Sequence, residues 1–215
     1  MKKTKQISIY IFVFFVIWVC RVFLFNYFDA QLETKLEKSL STNLFRLFIW
    51  VVPVFVFLVC DSKTNPLEYL KLKAINIGIL RWGTGVLCLV FLYQMMLYYL
   101  GLDDFNIGKD FLDYFNSIII PPIFEEILFC GFIQQKLNEL MSSIKAILIT
   151  SILFVLIHLP GWLLLNSLDY SYVEITKMSV VIFVLSVLMG WLLKKSKSLY
   201  PSIALHSLNN FISAM

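Results

Sequence analysis

The sequence predicts an all-α membrane protein, a polytopic bundle of about seven transmembrane helices (six to eight). Of its 215 residues, 60% are hydrophobic and only 15% are charged, and the mean hydropathy is +0.82. An average soluble domain is about 45–50% apolar and about 25% charged. A soluble domain of this length lacks the interior to bury so much apolar surface. The apolar residues also fall into segments close to the roughly 20 residues that a helix needs to cross a bilayer.

Short polar loops separate the predicted segments. They run from about Ile7 to Phe28, Leu44 to Cys60, Ile79 to Leu100, Ser117 to Leu137, Ile144 to Leu165, Val173 to Leu193 and Leu199 to Met215. Loops rich and poor in lysine and arginine alternate, which indicates a cytoplasmic N-terminus and an outside C-terminus. No small-x-small cleavage site follows the first segment, so we expect a retained anchor rather than a signal peptide.

The net charge and the cysteine spacing narrow the range of partners and sites that the sequence allows. The net charge is +4, but the lysines sit in short clusters between apolar segments, as topology signals do. We therefore expect a lipid bilayer as a partner and no nucleic acid. The four cysteines form no CxxC pair, which favours buried free thiols over disulfides or a zinc knot. Abundant lysine and phenylalanine favour a bacterial source, and hence a multi-pass protein of a cell membrane.

Two adjacent acids, Glu125 and Glu126, lie inside the fourth apolar segment. Burying an ionisable group at membrane depth carries a high cost in free energy. Neighbouring residues on a helix point about 100° apart, so one glutamate can face a cavity while the other packs against a helix. Glu126, Cys130 and Gln134 are spaced by four and share one stripe. A carboxyl in a low-dielectric site favours its neutral form, which suits a general base. The alternative is a structural pair that holds helices together.

The chain has two histidines, and both lie in apolar segments. Pro160 cannot donate a backbone hydrogen bond, so the helix should kink or end beside His158, and the freed carbonyls suit a water-filled cavity. His206 and Asn210 are one turn apart on one face, where they can bind a metal or stabilise an oxyanion. The alternatives are a histidine bonded to a backbone carbonyl and an interhelical hydrogen-bonding face.

Taken together, three elements in this order resemble the CPBP, or Abi, family. The elements are Glu125-Glu126, Phe154-x-x-x-His158 and His206-x-x-x-Asn210. The family holds the CAAX prenyl proteases of the Ras-converting type and bacteriocin-processing and immunity proteins. The stretch SLYPSIALHSLNN, which ends at Asn210, is similar to its last motif, and the resemblance covers about residues 115–212. We therefore divide the chain into N-terminal transmembrane helices and loops (1–114) and a CPBP/Abi-like catalytic core (115–215).

The resemblance implies an intramembrane endopeptidase that acts on a peptide or membrane-protein substrate. Glu125 would activate water with help from His158, beside Glu126. His206 and Asn210 match residues assigned to metal binding or to the oxyanion. Two mechanisms stay open: zinc held by Glu125, His158 and His206 with one open position, or a glutamate and histidine mechanism without metal.

One departure from the family pattern bears on activity. The family usually has arginine four residues after the second glutamate, where this chain has Cys130. Glu126 would then be protonated or bonded to Gln134. A non-catalytic protein of the same fold, acting by binding in bacteriocin immunity or sensor-kinase regulation, is the main alternative. A transporter with the buried acids as a proton relay is a third.

Overall fold

The structure, a computed structural model, describes residues 2–29, 31–62, 64–73, 110–164 and 170–214, and residues 82–85, 88–89, 92–93, 95–96 and 99–100 between them. These residues form helices and turns without a strand. The helices bounded within them are α1 (Lys2–Asp29), α2 (Lys35–Arg46, Leu47–Val51 and Val52–Ser62 in succession), α3 (Pro66–Tyr69), α4 (Phe111–Tyr114, Phe115–Ile119, Ile120–Glu126, Ile127–Gln134 and Gln135–Asn138 in succession), α5 (Ser143–Leu156), α6 (Leu159–Leu164), α7 (Tyr172–Ser196) and α8 (Tyr200–Ala214).

The all-α membrane bundle predicted from the sequence is confirmed. Among the described residues, five helices are long and apolar enough to cross a membrane, namely α1, α2, α4, α7 and the run Ser143–Leu163, which joins α5 and α6. Of the third predicted segment, residues 82–85, 88–89, 92–93, 95–96 and 99–100 are described, and they are helical up to residue 99; the rest of that segment lies outside the described residues. The seventh is α8, whose 15 residues span about 22 Å, less than a bilayer core of about 30 Å.

Helix α2 begins at Lys35, nine residues before the predicted start of the second segment. The reason is a capping box, in which the Thr34 side chain accepts from the backbone of Glu37 and the Glu37 carboxylate accepts from the backbone of Thr34. The first turns of α2 are polar and face α4. There Lys35 pairs with Asp110 at 2.6 Å, and Asn116 accepts from Ser39 at 2.7 Å. These contacts fix the rotation of α2 against α4.

Helix α4 is the centre of the bundle. In the described part of the chain, 61% of its apolar window is buried, against 33% or less for the other four spans. It contacts α2, α5, α7 and α8. The two glutamates therefore lie on the most buried of the five described spans, which is where ionisable groups at membrane depth are expected.

Three stretches of α2 and α4 are π-helical, a feature that the sequence pattern does not predict. They are Leu47–Val51, Phe115–Ile119 and Ile127–Gln134. A π-helix bonds residue i to i+5 and is often found at functional sites. The third stretch begins directly after the glutamates, so the residues beyond Glu126 are rotated away from the positions that 3.6 residues per turn would give them.

The break predicted at Pro160 is confirmed. Helix α5 ends at Leu156 and α6 begins at Leu159, which places His158 in the turn between them. The break frees backbone carbonyls, and one of them finds a donor on another helix. The indole Nε1 of Trp18 in α1 donates to the Ile157 carbonyl at 2.8 Å. Helix α1 thus closes the bundle beside His158.

Helices α7 and α8 are tied to the rest of the core by buried polar contacts. Ser202 donates to the Met189 carbonyl at 2.7 Å, which fixes α8 on α7. Gln134 donates to the Gly190 carbonyl at 3.1 Å, which fixes α4 on α7. The two contacts place the middle of α8, where His206 lies, against α4. The four cysteines are free thiols, as the sequence predicts, although only Cys130 is buried.

Candidate active site

Glu125, Glu126 and His206 meet in the interior of the bundle. Their exposed fractions are 7%, 0% and 4%. The His206 imidazole stands between the two acids, with Nδ1 3.1 Å from Oε1 of Glu126 and Nε2 3.7 Å from Oε2 of Glu125. With an ionised Glu126, whose carboxylate only accepts hydrogen bonds, Nδ1 is the nitrogen that carries the proton and donates it to Glu126. The imidazole then turns its other nitrogen toward Glu125.

Glu126 is fully enclosed and has two polar neighbours. Besides His206, the Cys130 thiol lies near its carboxylate. Gln134 does not bind Glu126: its amide donates to Gly190 on α7. Of the two alternatives for Glu126, the bond to Gln134 is therefore wrong, because the π-helical stretch Ile127–Gln134 changes the register after Glu126. A protonated Glu126 stays a prediction. The two acids separate as expected, with Glu125 on a cavity and Glu126 packed toward α8.

His158 is half-buried and oriented by its own helix. Its Nδ1 lies 2.8 Å from the Phe154 carbonyl. A carbonyl only accepts, so Nδ1 carries the proton and Nε2 is the nitrogen able to take one up. The break at Pro160 holds the ring at the end of α5, and the Trp162 ring lies 5.6 Å from it. The structural alternative for His158, a histidine bonded to a backbone carbonyl, is thus consistent with the structure. The same bond leaves Nε2 without a proton, which is the tautomer that a general base needs.

Phe154 lies between the two histidines. Its ring centroid is 5.2 Å from that of His158 and 5.6 Å from that of His206, with edge-on geometry in both cases. It also packs edge-on against Phe129 of α4 at 5.1 Å. Phe154 is 1% exposed. The phenylalanine of the Phe-x-x-x-His element therefore fixes the relative placement of both imidazoles.

A cavity of about 360 Å³ opens beside Glu125. Its charged or titratable side chains are Arg21, Arg46, Glu125 and His158, and its aromatic walls are Trp18, Phe45, Trp50 and Trp162. His206 and Asn210 do not border it. Helices α1 and α2 supply most of the wall, so the cavity takes residues from both of the parts into which we divided the chain. Glu125 and His158 are the predicted site residues that share it.

Asn210 contacts α4, as His206 does, but nearer to the start of that helix. Its amide Nδ2 donates to the Ser117 carbonyl at 2.9 Å, in the π-helical stretch Phe115–Ile119. That stretch frees carbonyls that need donors, and Asn210 supplies one. The shared face predicted for the two residues is present, since both bind α4. The structure does not bring Asn210 to the cavity.

The described side chains do not form a preassembled metal centre. Among the described residues, no three His, Cys, Asp or Glu side chains are placed to hold an ion. Both nitrogens of His206 are turned to glutamates and Nδ1 of His158 is turned to a carbonyl, which leaves too few convergent donors for the zinc site that the resemblance suggests. Zinc held by Glu125, His158 and His206 stays an untested expectation.

Sequence reasoning missed Arg21 and Arg46 as site residues. In the sequence, Arg46 lies just inside the second apolar segment and Arg21 interrupts the first. Both lie in apolar runs, where an ionisable residue is a functional candidate by default. Arg21 stacks on the Phe45 ring at 4.9 Å, which holds it at the cavity wall. The signal was therefore present but was assigned to topology.

Residues 107–212 match the family model for the Rce1-like type II CAAX prenyl endopeptidase. The match covers the glutamate pair, both histidines and Asn210. It coincides with the stretch that carries the sequence resemblance and leaves α1 and α2 outside. The searches of curated proteins and of solved structures returned no significant match.

Proposed function

Because this chain belongs, through residues 107–212, to the Rce1-like type II CAAX prenyl endopeptidases, an intramembrane protease family, we propose that it hydrolyses a peptide bond with a water activated by Glu125 and His158. The observation that carries the proposal is that these two groups border one cavity inside an apolar bundle. Its aromatic walls suit an apolar peptide or the end of a membrane protein. Bacteriocin precursors are one class of peptide with that character.

The chemistry needs a base for water and an acid for the departing amine. Glu125, buried at 7% exposure, takes the proton of a water in the cavity while the water oxygen bonds to the peptide carbonyl carbon. His158, whose Nε2 can accept a proton, shares that task. When the carbon–nitrogen bond breaks, the proton passes to the amine. The second proton of the water also reaches the amine, so the products are a carboxylate and an ammonium group, and atoms and charges balance.

Glu126 and His206 act as positioning residues in this scheme. Glu126 holds the Nδ1 proton of His206 at 3.1 Å, which turns Nε2 toward Glu125 at 3.7 Å. The order carboxylate, imidazole, reacting group follows the logic of catalytic triads, in which a buried acid fixes the tautomer of a histidine. A separation of 3.7 Å is long for a hydrogen bond, and such contacts often tighten only when substrate is bound.

The test is loss of cleavage on removal of the base. Membranes that contain the wild-type chain or Glu125→Ala are incubated with a library of apolar peptides, and mass spectrometry identifies new termini. We expect cleavage by the wild-type chain only, with a loss of at least about 100-fold, since general bases contribute about 10²–10⁴-fold. The exposed acid Glu68 supplies the matched control, Glu68→Ala, which should keep full activity. Cleavage by Glu125→Ala at the wild-type rate would contradict the assignment of Glu125 as the base.

A second candidate function is binding without hydrolysis, as in bacteriocin immunity or sensor-kinase regulation. The observation in its favour is Cys130, which occupies the place of the family's arginine and leaves Glu126 with a thiol rather than a cation. Complementation of a deletion strain separates the two functions. Full rescue by Glu125→Ala and by His158→Ala would favour binding, whereas failure of both, with the proteins present in the membrane, supports hydrolysis.

A further inference from the structure

Arg46 places an unpaired cation in the same cavity as Glu125 and His158. It ends the first α-helical stretch of α2, directly before the π-helical turn Leu47–Val51. Its Nε is buried and has no hydrogen-bond partner in the part of the chain that the structure describes. A guanidinium offers five donors in a planar fork, and a buried donor without an acceptor is unfavourable. The position therefore requires a compensating ligand.

Glu125 does not satisfy this requirement. Its carboxylate is near enough to attract the Arg46 guanidinium, yet within the described ranges Arg46 has no ion pair closer than 4.0 Å. The cation thus stays available beside the base. A direct Arg46–Glu125 pair would instead have neutralised both groups.

The residues that the resemblance assigns to anion stabilisation are engaged elsewhere. Asn210 donates to the Ser117 carbonyl, and His206 is held by Glu126. Neither of them borders the cavity. Among the described residues of the cavity wall, the Arg46 Nε and the Trp50 indole Nε1 are buried donors that meet no acceptor, and Arg46 is the one of the two that carries a charge. The described polar contacts of α2 with α4 (Lys35 with Asp110, Ser39 with Asn116) fix the direction of α2.

We propose that Arg46 binds a negatively charged oxygen of the substrate in this cavity. The inference rests on the proposed hydrolysis, because it gives Arg46 a role in that reaction. Its test does not depend on hydrolysis, because binding can be followed without cleavage. Two sources supply such an oxygen: the terminal carboxylate of the peptide, or the oxyanion that forms on the attacked carbonyl. Guanidinium groups match both, in bidentate geometry for a carboxylate and as an oxyanion donor for the tetrahedral species.

The experiment uses the tryptophans of the cavity wall as reporters. Trp18, Trp50 and Trp162 border the space that the ligand would fill, so their fluorescence should change on binding. The full chain in lipid nanodiscs is titrated with N-acetyl-trileucine as the free acid and as the amide. A second pair of probes, a trileucine phosphonate anion and its neutral methyl ester, represents the tetrahedral oxyanion. Wild type is compared with Arg46→Gln and Arg46→Lys.

The control is Lys145→Gln, which removes one positive charge at an exposed position of α5. We expect wild type and the Lys145→Gln variant to bind at least one anionic probe about tenfold more tightly than its neutral partner, since one charge-assisted contact is worth a factor of that order. Arg46→Gln should reduce the preference to less than about twofold, and Arg46→Lys should keep part of it. A thermal melt of each variant verifies that it is folded.

The two probe pairs identify the source. A preference confined to the acid over the amide assigns the terminal carboxylate, and one confined to the phosphonate assigns the oxyanion. The proposal is overturned if wild type shows no anion preference with either pair, or if Arg46→Gln keeps the wild-type preference. Either result is independent of whether Glu125→Ala abolishes cleavage, so failure here and failure of the protease assignment are distinguishable.

Discussion

Replacing His206 by alanine should destabilise the protein far more than replacing His158. His206 is 4% exposed and donates to Glu126, which is 0% exposed. Its removal leaves a carboxylate in the core with Oε1 unpaired, and Oε2 of that carboxylate already has no partner among the described residues. Breaking a buried pair in this way costs about 3–5 kcal/mol. We expect the free energy of unfolding to fall by that amount.

The measurement is the midpoint of thermal unfolding in detergent. At about 2–4 °C per kcal/mol for a chain of this size, His206→Ala should lower the midpoint by roughly 6–20 °C. His158→Ala is the matched control. It removes one hydrogen bond to a carbonyl of its own helix at a half-buried site, a loss of about 1 kcal/mol. Equal midpoints for the two variants would refute the reasoning.

The double variant His206→Ala with Glu126→Gln separates the orphaned charge from the lost packing. Glutamine is neutral, so the buried group no longer carries an uncompensated charge when the imidazole is removed. The double variant should therefore be more stable than His206→Ala alone, with a coupling of about 0.5–3 kcal/mol, as expected for residues in contact. If it is less stable, the orphaned carboxylate is not the source of the loss.

Three further results are expected. Gly190→Ala should lower the free energy of unfolding by about 1–3 kcal/mol, because the added Cβ would lie 2.5 Å from Oε1 of Gln134, whereas Gly85→Ala meets nothing within 4 Å and should leave the thermal midpoint unchanged. Cys130→Ser replaces the thiol near Glu126 by a hydroxyl of similar size and should keep full cleavage, whereas Cys130→Arg should reduce folded protein in membranes, because the site is 1% exposed; normal yield of the arginine variant would contradict this. Cleavage should survive dialysis against a metal chelator, since the described residues hold no three-donor cluster, and activity lost on dialysis and restored by zinc would refute that.

Much of the bundle follows from local properties of the sequence. The hydropathy of each segment predicts a membrane helix wherever it sits, and Pro160 predicts the end of α5 because proline acts on its own turn. The different surroundings of Glu125 and Glu126 follow from the 100° step between neighbouring residues on a helix. None of these inferences needs to know which helices are in contact.

Contacts between helices could be predicted from the sequence only in part. The shared face of His206 and Asn210 could be read from their spacing, but its partners could not: Glu126 and the Ser117 carbonyl belong to α4, about 80 and 93 positions away in the chain. The expected Glu126–Gln134 bond failed because the π-helical stretch after Glu126 shifts the register. Whether a segment adopts a π-helix depends on packing against its neighbours, and hydropathy carries no signal for it.

By itself the sequence determined that this chain is a membrane bundle with acids and imidazoles at membrane depth, because transfer from water to lipid is a property of each segment alone. Its motifs also resemble the family whose model matches residues 107–212. The tertiary structure decided which groups meet: His206 between the two glutamates, His158 and Glu125 on one cavity, and Arg46 of α2 beside them. The physical reason is that the direction of a side chain depends on how its helix is rotated, and that rotation is set by contacts between helices far apart in sequence.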